Sequence, residues 1–178
     1  MTVSQNILGY VYAMDFSVMR RVHWWPAPRW IRVWMICATR GGDGGLWYAL
    51  GLAVLLFGGA SRLAAAGAAT LAAATGIVVF VRLKLLIRRP RPCALAVHCW
   101  ARLLPPDQFS FPSGHSITAF AVAVPIGNFY PSLLPGLVFC AMSIALSRVL
   151  LGMHYVSDVL AGSLVGAALG YASYALLS

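Results

Sequence analysis

Residues 62–87 read RLAAAGAATLAAATGIVVFVRLKLLI, a long alanine-rich apolar run. The hydrocarbon core of a bilayer is about 30 Å thick, and an α-helix needs roughly 20 apolar residues to cross it. This run is long enough to cross the bilayer with some tilt. It therefore predicts a transmembrane helix, and with it a membrane protein.

Further apolar runs extend the same pattern along the chain. They occupy residues 46–59, 117–130, 133–150 and 156–177. The predicted fold is all-α, an integral-membrane helical bundle with about five transmembrane helices. Because the connections near residues 59–61 and 130–132 are very short, we expect neighbouring helices to pack antiparallel.

The last run carries a glycine at every fourth position, namely Gly162, Gly166 and Gly170. Small residues on one helix face let two backbones approach closely within lipid. We therefore expect these glycines to serve packing rather than chemistry.

Composition supports the membrane assignment. The chain has 178 residues, of which 61% are hydrophobic and only 10% charged, and its mean hydropathy is +0.81. A soluble domain of this length needs far more charge on its surface. The length fits a single membrane-embedded domain over residues 1–178. The basic residues that give the net charge of +9 lie beside apolar stretches. This placement favours contact with anionic headgroups and the lipid bilayer over nucleic acid.

Residues 1–43 are predicted to form an interfacial, amphipathic N-terminal segment. Aromatic and basic side chains alternate there, a mixture typical of the membrane–water interface: Trp24, Trp25, Arg29, Trp30, Arg32 and Trp34. A marginal sixth transmembrane helix at residues 4–19 is the alternative.

Three polar clusters interrupt the apolar chain, and ionisable groups inside a membrane segment usually mark a functional site. The first cluster contains Lys84 near a helix end and Arg91-Pro92 just beyond it. A lysine and an arginine together can grip several oxygens of a phosphoryl group. The neighbouring basic residues are interpreted as anchors that extend toward the interface: Arg82, Arg88 and Arg89.

The second cluster is Pro112-Ser113-Gly114-His115, directly before an apolar run. Ser113 is expected to cap the helix that starts there, and Gly114 permits an anion to approach the free backbone N–H groups. The helix dipole favours a phosphate at this position. His115 then lies in the first turn, where its ring can reach the bound group.

The third cluster is Ser147-Arg148, followed by His154 and Asp158. Arg148 is predicted to end one helix, Gly152 to allow the turn, and His154 to open the last helix. Asp158 would then face the same side as His154 one turn later. A carboxylate bonded to one imidazole nitrogen fixes the tautomer and leaves the other nitrogen free to attack.

Together the three clusters resemble the signatures of the type 2 phosphatidic acid phosphatase (PAP2) superfamily. Those signatures read K-x6-RP, PSGH and SR-x5-H-x3-D, and all are complete and in order across residues 84–158. Residues 1–43 have no counterpart in the family pattern.

The resemblance implies a role for each motif residue. The phosphate would be bound by Lys84, Arg91 and Arg148, together with backbone groups at Ser113 and Gly114. His154 would be the nucleophile, Asp158 would orient it, and His115 would be the general acid. No metal ion and no other cofactor is implied.

The function implied by the resemblance is metal-independent hydrolysis of a membrane lipid phosphate through a phosphohistidine. Candidate substrates are phosphatidate, phosphatidylglycerophosphate and a polyprenyl phosphate or diphosphate. The alternatives are a lipid A phosphatase, a lipid phosphotransferase and a protein that only binds lipid phosphates. The sequence does not select among these substrates and does not indicate an oligomeric state.

The expected location is the bacterial inner membrane, but two signals conflict on which side holds the site. The excess of basic residues at the catalytic end favours the cytoplasm, whereas family members that recycle lipid carriers commonly act on the outer face. Cys93 and Cys99 could form a disulfide or remain thiols. Two further acidic residues, Asp43 and Asp107, are interpreted as turn formers.

Overall fold

The computed structural model describes residues 3–95 and 107–178, with side chains described for residues 9–94 and 107–178. The pairing of Cys93 with Cys99 lies outside the described residues. The α-helices in the described part are α1 (Val3–Trp24), α2 (Arg29–Gly41), α3 (Gly45–Phe57), α4 (Arg62–Ile87), α5 (Pro92–Leu95), α6 (Gly114–Phe129), α7 (Leu134–Leu150) and α8 (Val156–Leu177). The predicted all-α fold is confirmed.

Three helical segments of the described chain are long and apolar enough to cross a membrane: Gly59–Ile87, Pro131–Leu150 and Val156–Leu177. Of the other two predicted spans, α3 is apolar but has 13 residues and α6 has 16. Helix α6 packs against α4, α7 and α8, so protein rather than lipid surrounds most of it. Helix α1, which contains the proposed sixth span, is not among these segments.

Close packing of α8 against α6 depends on the predicted glycines. A Cβ atom on Gly166 would lie 2.3 Å from the Ile117 carbonyl oxygen, and one on Gly162 would lie 2.7 Å from the Ser113 carbonyl oxygen. These separations are far below van der Waals contact, so only glycine allows the two backbones to approach this closely. The predicted packing role is confirmed, and it holds the start of α6 against the second and third turns of α8.

Four helix ends meet at one end of the bundle. Helices α4 and α7 end there, while α6 and α8 begin there. Arg88, in the left-handed conformation at φ 49°, ends α4. A bridge between Pro90 and Phe109 connects the chain beyond Arg88 to the segment before α6.

The N-terminal helices pack onto this same end. Met35 of α2 is completely buried and belongs to a cluster with Leu151 and Met153, which follow α7. Helix α1 contacts α8. The N-terminal segment therefore does more than lie at the interface, because side chains from both helices reach the clustered helix ends.

Candidate active site

His154 lies in the turn between α7 and α8. Gly152, at φ 69°, supplies the left-handed conformation that this turn requires. The His154 amide donates to the carbonyl oxygen of Arg148 at 3.0 Å. The expectation that His154 opens the last helix is wrong, since Tyr155 is the extended N-cap and the helix begins at Val156.

The imidazole of His154 has two different partners. Its Nδ1 donates to the Ser110 carbonyl oxygen at 2.6 Å. Its Nε2 lies 3.1 Å from Nη1 of Arg91, which can only donate, so Nε2 carries the lone pair. The tautomer expected of a nucleophile is thus set by a backbone oxygen. The nearest oxygen of Asp158 is 3.7 Å from Nδ1, beyond a hydrogen bond, so the expected direct bond is absent.

Burial keeps this imidazole neutral. His154 is only 1% exposed. Burial lowers the pKa of His154 to about 3, and the nearby guanidinium groups of Arg91 and Arg148 act in the same direction, while Asp158 opposes them. Nε2 is therefore unprotonated across the neutral pH range.

Asp158 belongs to a buried ion network. Its Oδ2 accepts from the Tyr155 amide at 2.8 Å and completes a capping box, while its Oδ1 accepts from Nη1 of Arg89 at 2.7 Å. Arg89 also donates from Nη2 to Asp15 of α1 at 2.8 Å. The interpretation of Arg89 as an interfacial anchor is therefore wrong, because its guanidinium is buried between two carboxylates inside the protein.

The three predicted phosphate-binding cations are all buried and lie close enough to interact electrostatically. Arg91 donates from Nη1 to the Met153 carbonyl oxygen at 2.9 Å. Arg148 donates from Nη1 to Oγ1 of Thr39 on α2. Its Nε is buried and has no partner among the described residues, so it remains a free donor at the site. Lys84 extends from the last turn of α4.

Asp107 lies between two of these cations. One carboxylate oxygen accepts from Nζ of Lys84 at 2.5 Å, and the other accepts from Nη2 of Arg91 at 2.8 Å. Burial opposes ionisation, but the hydrogen bonds from Lys84 and Arg91 outweigh it and lower the pKa of Asp107. Asp107 does accept from the Phe109 amide, as a turn former would, but that interpretation missed its larger role.

The start of α6 faces the same site. Ser113 caps the helix as predicted, with its Oγ accepting from the Ser116 amide at 3.4 Å. However, the Ser113 amide donates to the Asp158 carbonyl oxygen at 3.1 Å, so it is already used. Nε2 of His115 lies 2.7 Å from Oδ1 of Asp43, and His115 also faces the charges of Arg148 and Lys84.

The structure thus brings together the side chains of all the predicted catalytic and cationic residues. It adds partners that sequence reasoning missed: Asp15, Thr39, Asp43, Arg89, Asp107 and the Ser110 backbone. One available signal was scarcity, because the chain has only 4 acidic residues and each one contacts this site. In so apolar a chain every carboxylate is a candidate for function.

Comparisons with known proteins support this picture. A decaprenylphosphoryl-5-phosphoribose phosphatase from Mycobacterium tuberculosis is 42% identical over 94 residues, which cover 52% of this chain and 50% of the relative. The chain thus matches about half the length of that relative.

Two solved structures share the fold. A transmembrane PAP2-type phosphatidylglycerolphosphate phosphatase from Bacillus subtilis superposes with a TM-score of 0.74 and 25% identity, covering 94% of this chain and 86% of that one. LpxE from Aquifex aeolicus superposes with a TM-score of 0.75 and 24% identity, covering 90% and 94%.

The family model described as the PAP2 superfamily matches residues 63–178. This range is most of the chain and includes all three polar clusters. The chain is an integral membrane protein. Its helical bundle, the order of its three motifs and the meeting of its helix ends at one site are consistent with this family. It belongs to the PAP2 superfamily.

Proposed function

We propose that this chain, acting as one domain, hydrolyses the phosphate headgroup of a membrane lipid without a metal ion and through a phosphohistidine. The observation that carries the proposal is the state of His154. Its unprotonated Nε2 lies beside a buried guanidinium, and two more cations are close by. A neutral nucleophile among preorganised positive charges suits attack on a phosphorus atom.

In the first step Nε2 of His154 attacks phosphorus and forms a P–N bond while the P–O bond to the lipid breaks. His115 donates a proton to the leaving lipid oxygen, and the lipid alcohol departs. Lys84, Arg91 and Arg148 stabilise the negative charge on the remaining phosphoryl oxygens. Asp158, at 3.7 Å, stabilises the cationic imidazole that forms.

In the second step a water molecule attacks the phosphohistidine. His115, now neutral, accepts a proton from that water, the P–N bond breaks, and inorganic phosphate is released. Burial and the charge of Arg148 lower the pKa of His115, and the pairing with Asp43 opposes them, so Asp43 is the group that favours the protonated ring in this exchange.

The proposed substrate class is supported by the location of the site at the end of a membrane bundle, where a lipid tail can remain in the bilayer. The M. tuberculosis relative is named for a decaprenyl-linked phosphate, and the B. subtilis structure for phosphatidylglycerolphosphate. We propose a lipid phosphate ester or polyprenyl phosphate or diphosphate as substrate and the bacterial inner membrane as the location.

The test is phosphate release by detergent-purified protein in the presence of a chelator. The panel contains phosphatidate, phosphatidylglycerophosphate, a polyprenyl phosphate and diphosphate, and lipid A, with His154→Ala as the control. Release that resists the chelator and is lost in the variant supports the proposal, and acid-labile labelling of the protein by ³²P-lipid identifies the phosphohistidine. Release only when an acceptor lipid is added indicates a transferase, and binding without release indicates a lipid-phosphate-binding protein.

A further inference from the structure

The Asp107 carboxylate holds N–H groups that a bound phosphate needs. It accepts from Nζ of Lys84 and from Nη2 of Arg91, two of the three proposed phosphate-binding cations. A carboxylate and a phosphate present similar oxygen pairs to the same donors. An N–H group that donates to the carboxylate is not available to the phosphate, so the two anions compete for these cations.

The hydrogen bonds of Arg91 make this competition direct. A guanidinium has five N–H donors. Nε of Arg91 donates to the Asp107 carbonyl oxygen, Nη1 to Met153 and His154, and Nη2 to the Asp107 carboxylate. One N–H remains. A phosphate that takes more than one donor from Arg91 must therefore displace one of these partners.

The Asp107 side chain is the partner best able to move. It is 37% exposed, whereas the side chains of Lys84 and Arg91 are 10% and 3% exposed. The cations are held by the surrounding fold, while the carboxylate can rotate toward water.

We propose that Asp107 competes with phosphate for Lys84 and Arg91, and so weakens retention of the inorganic phosphate product. The inference rests on the proposed function. Three buried cations would otherwise bind a phosphate dianion tightly in both substrate and product. Uniform binding of this kind does not accelerate the chemical step. A competing carboxylate lowers the affinity for the product, so the site is cleared after each turnover.

The test compares Asp107→Asn with the wild-type full-length protein in detergent. Asparagine keeps the shape and the acceptor for the Phe109 amide but removes the charge. The first readout is the increase in unfolding temperature on titration with inorganic phosphate, which does not require turnover. We expect Asp107→Asn to be stabilised at about two- to fivefold lower phosphate concentration, as expected for the loss of a partly exposed, charge-assisted ion pair.

The matched control is Asp43→Asn, which removes one negative charge from the same end of the bundle without freeing Lys84 or Arg91. Its phosphate affinity should change less than that of Asp107→Asn. An equal change in both variants would overturn direct competition in favour of general electrostatics. Asp107→Ser, which also lacks the charge, replaces Asp107→Asn if the amide variant does not fold.

The second readout is inhibition of lipid hydrolysis by inorganic phosphate. We expect a lower inhibition constant and a lower KM in Asp107→Asn, with kcat reduced as product release slows. A higher KM or weaker phosphate inhibition would overturn the inference and make Asp107 a residue that positions the two cations. If neither the wild-type protein nor any variant binds phosphate or hydrolyses lipid, the proposed function itself fails. If the wild-type protein hydrolyses lipid and the substitution changes nothing, only the inference fails.

Discussion

The two ring nitrogens of His154 differ in protonation, and each contacts a different part of the chain. A backbone oxygen takes the proton of Nδ1, and a buried guanidinium faces the lone pair of Nε2. The ring thus needs no carboxylate to adopt the tautomer for attack. Asp158 is left to counter the positive charge that develops on the ring.

Acid should destabilise this protein through His154. The folded pKa is about 3 and the ordinary value is 6.5, so between these values the unfolded chain binds one more proton at this residue. Stability is therefore complete above about pH 6.5 and falls as the pH decreases, by about 2 kcal/mol between pH 6.5 and 5. Unfolding in detergent at several pH values should show a steeper acid dependence for the wild type than for His154→Asn. Equal slopes would contradict burial of a neutral ring.

Substitution Asp158→Asn should affect both activity and stability. The tautomer of His154 survives because Ser110 sets it, so we expect kcat to fall by about 10- to 100-fold rather than vanish. Stability should fall by about 1–3 kcal/mol, because Arg89 keeps Asp15 but loses one of its two carboxylates. Phosphate release and thermal unfolding measure the two effects. Wild-type activity in a folded variant would remove Asp158 from the proposed mechanism.

At the level of helices, the geometry of the site depends on how closely α6 and α8 approach each other. Helix α6 carries His115, and the turn before α8 carries His154. The glycine face of α8 lies against the backbone of α6 near Ser113 and Ile117. A packing feature within the bundle therefore determines the separation of the proposed acid and the proposed nucleophile.

Gly166→Ala should separate these two helices. The added Cβ would lie 2.3 Å from the Ile117 carbonyl oxygen, so the backbones must move, at a cost of about 1–3 kcal/mol. We expect a lower unfolding temperature and reduced phosphate release. Gly136→Ala in α7 is the matched control, because no heavy atom lies within 4 Å of its new Cβ. That variant should be as stable as the wild type or slightly more so; similar losses in both variants would argue against helix separation as the cause.

Much at this level was predictable from sequence. Apolar runs located the helices, the serine before an apolar run located a cap, and glycine spacing located a contact face. The turn at Gly152 was predicted, but the start of the last helix was not, because the spacing between His154 and Asp158 is the same whether the helix starts at residue 154 or 156. A capping box joins Tyr155 to Asp158 at the helix start, and His154 lies in the turn just before it.

On the scale of the whole molecule, the site combines residues of the N-terminal helices with residues of the later helices. The family model covers residues 63–178, but Asp15, Thr39 and Asp43 lie before it and contact Arg89, Arg148 and His115. Sequence reasoning did not show which residue each of these partners contacts, for a physical reason. They act over 72 to 109 residues of chain, and local patterns carry no information about such contacts.

Deleting residues 1–43 should therefore abolish phosphate release even though every family motif remains. Arg89 would lose one carboxylate, and Arg148 and His115 would each lose their polar partner. Activity and membrane insertion of the shortened chain provide the measurement. A full-length triple variant, Asp15→Asn with Thr39→Val and Asp43→Asn, should reproduce most of the loss. Activity in the shortened chain would show that the N-terminal helices are dispensable.

The oxygen that accepts from His154 belongs to a peptide bond, and this has a consequence for mutational scanning. No replacement of the Ser110 side chain removes that oxygen, so a saturation library at position 110 reports on other properties of the residue and not on proton placement at His154. Chemical synthesis reaches what mutagenesis does not: an amide-to-ester exchange between residues 110 and 111 weakens the oxygen as an acceptor while every side chain stays in place. The backbone oxygen that sets the His154 tautomer therefore cannot be removed by any amino-acid substitution.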